Sequence, residues 1–160
     1  IRIFDELARN DHVDSAMALG DYMLDVFPEY WQTYVVMAEQ HDRQGDTAQS
    51  TELFQMLHDT LASFVESNPE NYFYVGDLGL AKVELGQRTA MPEMTEEGVE
   101  YLWDAFMMNP NSTYSFRKLI SVLAQQGKVG EMRKAASIHG EYKVNLRDTY
   151  VQRLLGMGGG

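Results

Sequence analysis

The chain has 160 residues, 44% of them hydrophobic, no cysteine and a formal net charge of −11. That is enough apolar residue for a real core, yet no run approaches the roughly 20 apolar residues of a membrane span. The absence of cysteine excludes disulfides, thiol nucleophiles and Cys-based zinc sites, and is compatible with either redox compartment. The charge is unevenly placed: residues 1–110 sum to −16 and residues 111–160 to +5. Phosphate repulsion by the long acidic part disfavours nucleic acid, while opposite fields at two ends can steer a partner or a second copy.

Chain order gives a repeating series of helices. Ile3 to Arg9 reads as the tail of a helix, Asn10-Asp11 as a turn, and Val13 to Phe27 as a second helix aligning Ala16, Gly20, Met23 and Phe27. Pro28, Pro69 and Pro110 then recur 41 residues apart, as do Gly45, Gly86 and Gly127. A fixed period of this kind marks a repeat protein. Between each proline and the next glycine lies a first helix. Its core face carries Trp31, Tyr34, Met37 and Ala38, then Tyr72, Val75, Leu78 and Gly79, then Thr113, Phe116, Leu119 and Ile120. These three- and four-residue steps place each set on one side of a helix, and each glycine is expected to end its helix in the left-handed conformation.

The second helices run from glycine to proline. Thr47 to Glu66 is free of Gly and Pro, with Leu53, Leu57, Leu61 and Phe64 on one stripe. The next is interrupted by Pro92, so a loop is expected there, with helix resuming at an N-cap Thr95 followed by Glu96 and Glu97. Its core stripe is Gly98, Leu102, Ala105 and Phe106. The fourth unit runs Ser112–Gln126, Gly127, then Val129–His139. A last helix from Glu141 to Leu155 shows Tyr142, Leu146, Tyr150 and Leu154 at four-residue steps, suiting a solenoid cap.

This pattern resembles the tetratricopeptide repeat family. Tyr34, Met37, Ala38 and Gly45 match its first helix, repeated by Val75, Leu78, Gly79 and Gly86; Gly98, Leu102, Ala105 and Pro110 match its second. Departures are the seven additional residues in the second and third units, Phe64 and Ile120 at small-residue positions, and no closing proline in the fourth unit. The resemblance implies an all-α, right-handed superhelix of antiparallel helix pairs over residues 1–160. Its units are about 1–28, 29–69, 70–110 and 111–140, with a capping helix at 141–155. A narrower likeness, in Phe4-Asp5-Glu6-Leu7-Ala8 and Tyr22 to Pro28, is to tetratricopeptide tails of bacterial membrane proteins related to protein O-mannosyltransferases.

Catalysis is not expected. His12, His41, His58 and His139 form no metal-ligand spacing, His41-Asp42 with Asp46 reads as turn chemistry, and no Gly-rich phosphate loop is present. Neither metal nor cofactor is implied. Aromatic clusters carry more information: three consecutive aromatics cannot share one helix face, because successive residues rotate by about 100°. Trp31 and Trp103 are expected in the core. In the resembled family, first helices line the concave surface, which implies a groove of Gln32, Val35, Glu39 and Arg43, then Phe73, Gly76, Leu80 and Val83, then Tyr114, Arg117 and Ser121. Aromatic anchors on such a groove suit capture of a protein or peptide; Phe73 and Tyr114 read equally well as packing at contacts between repeats, where aromatics keep their polar ends wet. The Lys and Asn clamp with which some members grip a peptide carboxylate is replaced by Val35 and Glu39, so a partner with basic residues is the better electrostatic match.

The expected function is therefore a non-catalytic binding scaffold, a module of a larger protein, since the chain starts at Ile1 and ends in Gly158-Gly159-Gly160. Its parent would be bacterial, with the module on the cytoplasmic or periplasmic side. Two alternatives are an accessory domain of a membrane-bound glycosyltransferase-like protein, and self-association through the oppositely charged ends.

Overall fold

A computed structural model describes residues 13–27 and 30–141. Among them are seven α-helices and no strand, so the described part of the chain is all-helical. They are α1 (Val13–Val26), α2 (Gln32–Arg43), α3 (Thr47–Ser67), α4 (Tyr72–Arg88), α5 (Pro92–Met108), α6 (Thr113–Gln125) and α7 (Val129–Glu141). The tail of a helix expected at Ile3–Arg9 and the capping helix at 141–155 lie outside the described residues, except for Glu141 at the end of α7. Among the described residues no helix is long and apolar enough to cross a membrane. The chain divides into two compact units, Ile1–Phe64 and Val65–Gly160, with the boundary inside α3.

In the first unit α1 packs against α2. Ala16, Tyr34, Met37 and Ala38 are buried, but Phe27, expected on the same face as Ala16, is 42% exposed. It lies one residue beyond the end of α1, where the helical spacing no longer holds. Its ring meets Tyr30 edge-on at 5.9 Å. Leu53, Leu57 and Leu61 of α3 are buried as the stripe requires.

The second unit is built on α4 packed along α5, with α6 against both and α7 against α6. Its core joins Val83 of α4, Val99, Leu102 and Phe106 of α5, Phe116, Leu119, Ile120 and Leu123 of α6, and Met132 and Ala135 of α7. Two side-chain caps start its first helices: Asn71 accepts the Phe73 N–H at 3.1 Å, and Ser112 accepts the Ser115 N–H at 3.4 Å. Asn71 and Ser112 are 41 residues apart, whereas α2, with Trp31 at its N-cap position, has no side-chain cap.

The glycines divide into two jobs. Gly45 (φ +81°) and Gly127 (φ +67°) end α2 and α6 in the left-handed region, where a side chain is strained. Gly86 does not end a helix, contrary to the sequence reading: α4 continues to Arg88, and the left-handed residue is Ala90 at φ 54°. The reason is packing. A Cβ on Gly86 would lie 2.6 Å from the Thr95 backbone nitrogen, so the position is reserved for close approach of α5. The expected loop around Pro92 is also corrected. Pro92 is the first residue of α5, where its missing N–H costs nothing, and Thr95 lies within the first turn rather than at the cap. The added length of this unit thus becomes helix in both α4 and α5.

Candidate functional site

Helices α4 and α6 touch each other within the second unit. Residues 41 apart meet across this contact. Phe73 of α4 lies against Tyr114 of α6 with ring centroids 5.0 Å apart and stacks on Tyr72 at 4.2 Å. Phe73 remains 43% exposed. One turn along, Asp77 of α4 meets Lys118 of α6, again 41 residues away. The Lys118 ammonium and the Tyr114 hydroxyl both donate to Asp77 Oδ1, the latter at 2.7 Å. Lys118 Nζ also lies 4.5 Å from the Tyr114 ring centroid, within reach of the attraction between a cation and an aromatic face.

Asp77 is 3% exposed. Burial raises its carboxyl above the usual range, with the Lys118 charge and the two donated hydrogen bonds opposing that shift. Burial likewise lowers the Lys118 ammonium, against the pull of Asp77. Both directions have one cause: removing a charge from water costs more than the partner returns. Burial and the Asp77 charge raise the Tyr114 hydroxyl, so it keeps its proton and its role as donor. The cluster therefore holds α4 to α6 beneath an exposed aromatic ring.

The residues expected to line a groove differ in exposure. Phe73 and Arg117 are exposed, and Leu80, Tyr114 and Ser121 are half-buried, all on α4 and α6. Val83 is a correction: it is 0% exposed and belongs to the core, packed where Gly98 of α5 comes within reach of its backbone. Gly76 is also buried, facing Ala105. Gln32 and Val35 are half-buried on α2 of the first unit, and Glu39 and Arg43 are exposed there. Glu39 and Arg43 approach each other to 3.9 Å, one turn apart. Trp103 is half-buried rather than core: its indole N–H donates to Glu131 at 3.1 Å and Lys134 lies over its ring. Trp31 is also half-buried.

Asp77 and Lys118 escaped the sequence reading, although a signal was present. Asp77 and Lys118 carry opposite charges 41 residues apart, the same spacing as the prolines and the glycines. His41 and Asp46 stand 3.6 Å apart, and Asp46 accepts the Gln49 N–H at 3.1 Å in the first turn of α3. Among the described residues no three His, Asp or Glu side chains converge as a metal site would require.

No family model matches this chain, and no curated protein matches it.

Proposed function

We propose that this chain is a non-catalytic scaffold that binds a protein or peptide segment, with its helices arranged as in the tetratricopeptide superhelix and the chain serving as a module of a larger protein. The observation that carries the proposal is Phe73. A large apolar ring stands nearly half in water, yet its backbone is fixed by the Asn71 cap and its neighbours by the buried Asp77 pair. A rigid exposed aromatic loses little side-chain entropy on binding and buries a large area. Contacts between residues one period apart support the repeat arrangement, since parallel first helices bring equivalent positions together.

The test is selection from a displayed peptide library against the full chain, followed by affinity measurement on Phe73→Ala. Truncating an anchor costs about 2 kcal/mol, or roughly 30-fold in Kd. Phe73 is exposed, so the variant should retain its helical circular dichroism. Failure to select any peptide, or selected peptides that bind Phe73→Ala equally well, would refute the groove.

A further inference from the structure

We infer that the loop joining α3 to α4 forms a pocket for a cationic side chain, Arg or Lys, of the bound segment. This assignment rests on the peptide-binding reading and names the chemistry of its partner. The pocket is lined by Ser67, Asn68, Glu70, Asn71, Tyr72 and Phe73. It combines aromatic faces with a carboxylate, the two surfaces that attract an ammonium or guanidinium group.

Charge supports the same occupant. Residues 44–81 contain no Lys or Arg, while Glu70 lies in the loop and Glu66 just before it. The last turn of α3 has no basic residue against its carbonyl end, which favours a cation. The N-terminus of α4 acts the other way, but the Asn71 side chain already satisfies the Phe73 N–H there. The two helix ends oppose each other, so the carboxylates decide the sign. The adjoining Tyr114 ring already has a cation, Lys118, against it; the Tyr72–Phe73 stack leaves only its solvent-exposed aromatic surface, with Phe73 43% exposed, for a cation at the pocket.

The experiment titrates the isotope-labelled chain with the blocked peptide acetyl-Gly-Arg-Gly-amide, following backbone amide shifts. Its comparison peptide replaces Arg by citrulline, which keeps the shape and removes the charge. Expected are saturable shifts at residues 67–73, a citrulline peptide bound about 5- to 10-fold more weakly, and losses of about 3-fold in Glu70→Gln and about 5-fold in Phe73→Ala. Raising the salt should weaken the Arg peptide and leave the citrulline peptide nearly unchanged. Equal affinity for the two peptides, shifts centred elsewhere, or no saturation up to peptide solubility would overturn the pocket. Library peptides that need Phe73 but carry no cation would overturn it while leaving the peptide-binding reading intact. If the library also yields nothing, both readings fall.

Discussion

Gly98→Ala sets two known effects against each other. Alanine in a helix interior is favoured over glycine by about 1 kcal/mol, so an uncrowded site would gain stability. At Gly98 the added Cβ would lie 2.7 Å from the Gly79 carbonyl oxygen and 2.8 Å from the Val83 backbone nitrogen. Both obstacles are backbone, so no side chain can rotate away. Helix α5 must retreat from α4 where they cross, loosening Leu102, Ala105 and Phe106, which are at most 1% exposed. Overpacking of this kind costs about 1–3 kcal/mol, and more where the backbone must shift. The net expectation is a loss of about 1–2 kcal/mol, lowering Tm by roughly 5–10 °C for a unit of this size. The assay is urea and thermal unfolding followed by Trp103 fluorescence in a Trp31→Phe background, so that the signal comes from the second unit. Gly130→Ala is the control: nothing lies within 4 Å of its added Cβ and its φ is ordinary, so it should be neutral or stabilising by a few tenths of a kcal/mol. A Gly98→Ala protein as stable as the control would refute the close crossing.

Three further outcomes follow from the same geometry. Asp77→Leu should destabilise by about 3–5 kcal/mol by taking the carboxylate from the half-buried Lys118, whereas Asp77→Leu combined with Lys118→Met should recover most of that loss, as a urea double-mutant cycle over the two positions would read. Ala90→Gly should stabilise by about 0.5–1 kcal/mol, since only glycine takes φ 54° without strain, and an unchanged urea midpoint would count against it. His139 is buried, stacks on Phe116 at 3.9 Å and donates Nδ1–H to the Pro110 carbonyl at 2.7 Å. Burial lowers its pKa below 6.5, so the unfolded chain binds the proton first. Its contribution is complete above pH 6.5 and is lost as pH falls from there toward the folded pKa. His139→Phe should flatten that part of the stability profile, and a profile parallel to that of the wild type would refute the assignment.

The sequence made the helices and their buried faces legible because apolar spacing reports directly on which side of a helix meets a neighbour. Tyr34, Met37 and Ala38, like Leu102, Ala105 and Phe106, are buried where the three- and four-residue steps place them. What spacing alone missed was the use of individual glycines. Gly45, Gly86 and Gly127 share one period, but a glycine is demanded both by a left-handed turn and by a close backbone crossing. At Gly86 the partner that decides between them, Thr95, comes from another helix. Val83 failed for a related reason: a groove position and a core position differ by less than a turn, and the close approach of α5 at Gly98 carries the core around to it.

The Asp77 pair shows that the period holds more information than helix positions. Phe73 with Tyr114, and Asp77 with Lys118, are each separated by 41 residues and each in contact. Comparing residues one period apart, as well as three or four, would have found both pairs before any coordinates. Applied one unit earlier, the same comparison sets Gln32 against Phe73 and Val36 against Asp77. Neither pair can repeat the aromatic contact or the ion pair. Among the described residues, the combination of ring, buried acid and cation is therefore formed between α4 and α6 and is not reproduced 41 residues earlier, so the proposed binding reading predicts one distinctive site rather than a row of equivalent ones.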